Sequence, residues 1–297
     1  MTTTIAPAQP FTGLGSPGSA AHLLRNVDLS GPAGRLEALL NEGEADAPFA
    51  ALVCHPHPLG GGTLHNKVVY HAMKVLNDPE WGLGWPVLRF NFRGVGLSQG
   101  AHDGEAESED VLAAIKWLES EYKLPMVVVG FSFGAAMALK ACCEQGASGA
   151  AEEGTLYLEN GKKQTSGVRR GGLRIDSVDL MPGINPWPTA RRNLFTAGCG
   201  VSESIRANVR ALALLGLPTQ ADGRDFHYIF LQNCFIPKLF LSGDRDSFAP
   251  GPQLAQVAAT AAEPKRLALI PGADHFFTGQ LEPMQHALSC WLKEQLL

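Results

Sequence analysis

Residues 126–136 read Met-Val-Val-Val-Gly-Phe-Ser-Phe-Gly-Ala-Ala: an unbroken apolar run, then Gly130-Phe131-Ser132-Phe133-Gly134, then small residues that open a helical pattern. An apolar run this short, closed by glycine, fits a strand buried on both faces, as in a parallel sheet. A serine on the tight turn between such a strand and a helix sits on strained backbone. Side chains on either side of it would collide with the neighbouring strand and helix, which is why glycine flanks it. With glycine this abundant, the five-residue pattern alone recurs by chance in roughly one chain in five or six. Its weight comes from its place between strand and helix, which makes Ser132 the candidate nucleophile.

Working outward, the same alternation continues in both directions. Strand-like runs lie at His22 to Leu29, Arg35 to Asn41 and Phe49 to Cys54, the last of the doubly buried kind. Asn66 to Leu76 has helical periodicity, with Val68, Val69, Ala72, Met73 and Leu76 on one face, and Pro86 to Phe92 reads as the next strand. A helix over 109–121 precedes the central run, and a helix over 133–143 follows it. Downstream, strands are expected at 211–215, 238–242 and 266–270, with helices over 253–262 and 283–296. This rhythm predicts an α/β fold: a mostly parallel sheet with helices on both faces and its site at the carboxyl ends of the strands. The core is expected over 21–146 and 206–297, with 1–20 a poorly ordered tail. Residues 147–205 break the rhythm with Gly, Ser, paired basic residues and a Pro cluster, and are read as an insertion. It is either a lid lined by Leu180, Met181, Ile184, Trp187 and Phe195 or a solvated surface excursion.

A serine hydroxyl near neutral pH needs a histidine base, and the histidine needs a carboxylate to hold its tautomer. Two strand ends downstream supply them: Ser242-Gly243-Asp244-Arg245-Asp246, and Gly272-Ala273-Asp274-His275. His275 is the candidate base. Asp244 and Asp246 both compete for the acid role. The oxyanion of an acyl-transfer intermediate needs backbone donors, one from the residue after the nucleophile, Phe133, and one from the loop after the third strand. That loop reads Cys54-His55-Pro56-His57-Pro58-Leu59-Gly60-Gly61-Gly62-Thr63. Neither Pro56 nor Pro58 has an N–H, which points to His57, with Leu59 second. His55, His57 and His65 lack the company of a recognised zinc motif and are read as packing and loop-shaping residues, so no metal is expected. Arg93, in the glycine-rich loop 93–100, is read as an ion-pair residue.

Four segments carry a resemblance to the α/β-hydrolases, and within them to compact bacterial serine hydrolases and esterases related to the dienelactone-hydrolase-like branch. They are 54–69, 89–100, 130–136, and the pair 242–246 with 272–277; with the strand rhythm, the likeness spans about 21–146 and 206–297. The resemblance implies the fold, the chain order Ser132, Asp246, His275, and hydrolysis of esters or thioesters. It favours Asp246 as the acid because the family's usual signature places Asp at the third position after Gly, here Gly243, which leaves Asp244 a turn residue. Dienelactone hydrolases use a cysteine nucleophile, and this chain departs from them with serine. Compact members run almost directly from the helix after the nucleophile to the next strand, so the insertion is a further departure.

The expected activity is therefore carboxylic ester hydrolysis on a small-molecule substrate. A thioesterase or small-peptide hydrolase using the same triad is the nearest alternative, and a non-catalytic binding protein is the alternative of another class. No cofactor is expected, since nucleophile, base and electrostatic stabilisation come from the chain. A net charge of −5 without a basic stripe argues against a nucleic-acid partner. No apolar run is long enough to span a membrane, and no secretory leader is visible. Six cysteines without a CxxC pair suggest buried thiols in a reducing compartment, with disulfides possible but not needed, hence a cytoplasmic protein.

Overall fold

The computed structural model describes residues 23–143, 208–221 and 224–297. The insertion expected at 147–205, its lid reading and the tail at 1–20 lie outside these residues. β1 (Leu24–Gly31) and β2 (Gly34–Asn41) form an antiparallel hairpin turning at Pro32 and Ala33. β3 (Ala50–Cys54), α1 (Lys67–Asn77), β4 (Val87–Phe90), α2 (Glu107–Tyr122), β5 (Met126–Phe131) and α3 (Phe133–Cys143) follow. After β6 (Val209–Leu215) come a two-residue pair, β7 (Gln220–Ala221) with β8 (Arg224–Asp225), and a 3-10 turn at Ile229–Asn233. β9 (Lys238–Gly243), α4 (Gly251–Thr260), β10 (Lys265–Ile270) and α5 (Leu281–Leu296) complete the order.

The main sheet runs β1-β2-β4-β3-β5-β6-β9-β10, parallel from β4 to β10 and antiparallel at the β1–β2–β4 edge. This is the architecture the α/β alternation predicts. Every residue of β3, β4, β5 and β9 is buried, because helices cover both faces. One face, with Leu52, Phe90, Val128, Leu212 and Phe240, packs against α2, α3 and α4. The other, with Val53, Val87, Val129, Leu239 and Leu241, packs against α1 and α5. Each such side chain contributes about 1.5–3 kcal/mol through burial, so the two layers fix the sheet as a rigid platform. α1 starts where it does because the Asn66 side chain accepts the Val68 N–H at 2.9 Å, capping the first turn.

Two differences from expectation concern the segment between β6 and β9. The β7–β8 pair and the 3-10 turn were not anticipated, since neither has a periodic apolar signature. The second concerns the cysteines, where a disulfide allowed by the sequence stands beside the expected buried thiols. Cys143 at the end of α3 and Cys234 after the 3-10 turn are joined by a disulfide with Cα atoms 5.2 Å apart, while Cys290 is exposed. Separated by 91 positions, the bonded pair leaves no short-range motif; it meets because the 3-10 turn packs on α3. Cys54 and Cys142 are buried thiols, as expected. Among the described residues, no helix is long and apolar enough to cross a membrane.

Candidate active site

The β5–α3 turn shows why its sequence is Gly-x-Ser-x-Gly. Ser132 has φ of 54°, left-handed backbone that a non-glycine residue adopts only when held there. It is held by its N–H, which donates to the Leu215 carbonyl on β6 at 2.8 Å, and by helical bonds from Ala135 and Ala136 to its own carbonyl. A Cβ on Gly134 would lie 2.5 Å from the carbonyl oxygens of Cys54 and His55, and one on Gly130 would lie 2.4 Å from the Gly134 oxygen. Both glycines let backbones approach more closely than any side chain permits. The strained turn lifts the Ser132 hydroxyl above the sheet, where it is partly exposed.

Two further strand ends converge on it. His275, in the turn after β10, faces Ser132 through Nε2, 2.9 Å from Oγ, and Asp246 through Nδ1, 2.8 Å from Oδ2. Asp246, in the turn after β9, also accepts the Ser242 hydroxyl on Oδ2 at 2.7 Å, and the Phe248 and Ala249 N–H groups on Oδ1 at 2.8 and 3.0 Å. Burial by itself pushes the Asp246 carboxyl up, but the bonds from His275, Ser242 and Ala249 outweigh it and hold the group below the usual carboxylate range. Its charge is thus available to keep the Nδ1–H tautomer of His275 and to stabilise an imidazolium. Phe131, Phe248 and Phe276 surround the His275 ring with centroids 4.7–5.2 Å away. Asp244 is exposed and accepts the Gly272 N–H at 2.7 Å, a turn-closing role.

Phe133 and His57 are neighbours, their rings edge-on at 5.1 Å. The His57 Nδ1 accepts the Leu59 N–H at 3.1 Å, closing the 3-10 turn Pro58–Gly60, so the second-choice donor Leu59 already spends its N–H within the loop. His55 is fully buried between the Pro56 carbonyl, 2.7 Å from Nδ1, and the Phe92 N–H, 3.0 Å from Nε2. Burial first, and then the neighbouring histidines, lower the pKa of His57 to about 3; burial lowers that of His55 to about 4, against its bond to Pro56. Both are neutral loop-shaping groups at ordinary pH. His65 is exposed, and among the described residues no group of three or more His, Cys, Asp or Glu could hold a metal ion.

Arg93 makes a bidentate pair with the fully buried Asp110 of α2, with contacts of 2.7–3.1 Å, and its own N–H adds a bond of 3.0 Å to the same carboxylate. This clamps the glycine-rich loop after β4 to α2. Sequence reasoning did not anticipate Ser242 as a partner of the acid, or the pair of His102 and Glu107 beside Phe133. Serine in a strand and histidine in a loop are too common to stand out without the fold.

Comparison with known proteins places this geometry in context. The model of the alpha/beta hydrolase family matches residues 51–285. A lidless serine hydrolase of Xanthomonas campestris is 24% identical, covering 91% of this chain and 94% of that one, with a TM-score of 0.61. An alpha-beta serine hydrolase homologue of Coxiella burnetii is 26% identical over 90% and 97%, with a TM-score of 0.61. An esterase of Pyrococcus furiosus is 14% identical over 99% of each chain, with a TM-score of 0.62, a likeness of fold alone. An uncharacterized protein of Rickettsia prowazekii is 45% identical over 117 residues, and the match spans about half of that relative's length (48%).

Proposed function

The chain belongs to the α/β-hydrolase family, and we propose that it is a serine esterase that cleaves small carboxylic esters through Ser132, His275 and Asp246. The observation that carries this reading is the continuous line of hydrogen bonds from Ser132 Oγ through both ring nitrogens of His275 to Asp246 Oδ2. It spans three separate strand ends and leaves the serine partly exposed.

In the proposed reaction, Ser132 Oγ attacks the ester carbonyl carbon while His275 Nε2 takes its proton, and Asp246 holds the other side of the ring. The carbonyl oxygen becomes an oxyanion, received by the backbone N–H groups of Phe133 and His57. As the tetrahedral intermediate collapses, the C–O bond to the alcohol breaks and His275 returns its proton to the leaving oxygen. Water, activated in the same way, attacks the acyl-serine and releases the acid and free Ser132. Esters are preferred to amides on the family likeness, and modest acyl chains on the compactness of the described core. The expected core at 21–146 and 206–297, with 147–205 as an insertion, remains part of this proposal.

Initial rates on matched p-nitrophenyl esters of two to twelve carbons, on a thioester and on an anilide test it. Fastest turnover on short esters supports the reading, whereas faster turnover of the thioester or anilide would replace it.

A further inference from the structure

Glu107 is the second buried carboxylate of α2 and has no exposed surface. Its Oε1 accepts the Asp103 N–H at 3.0 Å and lies 2.5 Å from His102 Nδ1. Its Oε2 is buried and has no hydrogen-bond partner among the described residues. Burying a carboxylate is costly unless it is paired; here His102, the Asp103 N–H and the charge of nearby Arg93 offset that cost, yet Oε2 is left without a hydrogen bond. An apolar side chain at either position would avoid that cost, so burial alone does not account for the pair.

Its location suggests what does. The His102 ring meets His57 edge-on at 4.9 Å and Phe133 at 5.5 Å, and His57 and Phe133 meet each other at 5.1 Å. These three rings form a closed triangle, and two of its corners are the residues whose backbone N–H groups are assigned to the oxyanion. The third corner is fixed from outside. Asp103 Oδ1 accepts the N–H groups of Glu105 and Ala106 at 2.8 Å each, fastening the loop to the start of α2, and Glu107 on the first turn of that helix then fastens His102. His57 is tied to its own loop by the Leu59 N–H, so its ring transmits position to the backbone that carries it.

We propose that the Glu107–His102 pair is a positioning device for the hydrolytic step, pinning the His57 loop and Phe133 so that their backbone N–H groups meet the developing oxyanion. The pair touches no reacting atom, and it acts only through those two residues. The inference rests on the esterase reading for its catalytic consequence, though not for its geometry.

The test uses the full chain with Glu107→Gln, which keeps the shape and removes the charge, and His102→Phe, which keeps a ring and removes Nδ1. His102→Gln serves as the conservative variant able to donate to Glu107. On the best ester, kcat is expected to fall about 10- to 100-fold in Glu107→Gln and His102→Phe with KM within about twofold. That is less than the 10²–10³ that losing a whole oxyanion donor costs. Affinity for an alkylboronic acid, which forms a tetrahedral anionic adduct on the serine, falls by the same factor, and His102→Gln recovers part of both. Unchanged kcat and boronate affinity in folded variants would overturn the proposal, as would losses confined to KM. A readout without turnover separates this from the esterase reading. The backbone amide resonances of His57 and Phe133 shift in Glu107→Gln if the pair positions them, and their staying in place overturns it even if the wild type hydrolyses no ester.

Discussion

Replacing Asp246 by asparagine tests the polarity of the hydrogen-bond line, and the structure dictates how the amide sits. Oδ1 accepts two backbone N–H groups, from Phe248 and Ala249. An NH2 group cannot satisfy two donors, so the amide oxygen takes that position and the nitrogen takes the place of Oδ2. There it faces Ser242 Oγ and His275 Nδ1, at 2.7 and 2.8 Å in the wild type. The serine hydroxyl can rotate and accept, whereas Nδ1 must give up its proton to accept. The ring proton then resides on Nε2, 2.9 Å from Ser132 Oγ, and the base can no longer take the serine proton. Reversing the tautomer of a Ser-His-Asp triad in this way costs on the order of 10³–10⁴ in kcat, about 4–5.5 kcal/mol of barrier. The assay is the initial rate on p-nitrophenyl acetate, with urea unfolding to establish that the variant is folded. Asp244→Asn is the control: its exposed oxygen closes a turn with Gly272, a bond an amide oxygen can also make, and its rate should stay within about twofold of wild type. An Asp246→Asn rate within tenfold of wild type, or an equal loss in Asp244→Asn, would overturn the role assigned to Asp246.

Three further perturbations probe the scaffold. Arg93→Met strands the fully buried Asp110 carboxylate; urea unfolding should show a loss of about 3–5 kcal/mol, and adding Asp110→Leu should recover part of it. Gly134→Ala drives a Cβ to 2.5 Å from two carbonyl oxygens of the β3 end, so either the elbow or the His55 loop must move; a melting temperature lowered by several degrees and a rate lowered at least tenfold are expected from differential scanning fluorimetry and the ester assay. Lys238, fully buried with its ammonium donating to the carbonyls of Cys234 and Ala262, has a pKa lowered by burial to about 8. Below that value both folded and unfolded chains carry the proton; between about pH 8 and 10 the unfolded chain holds it and the folded chain does not, so this lysine makes stability rise with pH. Urea midpoints at pH 7.5 and 9.5 should show that rise in the wild type and lose it in Lys238→Met.

Most of the sheet was legible because its strands are buried on both faces, which turns position in the fold into plain apolar runs: Ala50–Cys54, Met126–Phe131 and Lys238–Gly243 differ little from their sequence-based bounds. The β1–β2 hairpin was legible as two strands, though its antiparallel pairing depends on the two-residue turn at Pro32 and Ala33 rather than on periodicity. Ser132, Asp246 and His275 stand out because each follows an apolar run at a glycine-containing turn, and the structure brings them within hydrogen-bonding distance. What could not be read has long-range causes. The disulfide of Cys143 and Cys234 depends on how a 3-10 turn packs against α3, and the meeting of His102 with His57 depends on the loop after β4 folding back over the loop after β3.

The central claim is that Ser132 is an activated nucleophile, and covalent labelling tests it most directly. Wild type, Ser132→Ala and Asp246→Asn are each incubated with a small alkyl fluorophosphonate, followed by intact mass and peptide mapping. The wild type should carry one phosphonyl group, located on Ser132, Ser132→Ala none, and labelling of Asp246→Asn should be slowed by at least a hundredfold. A folded wild type that stays unlabelled, or one labelled at another residue with Ser132→Ala labelled equally, would contradict it.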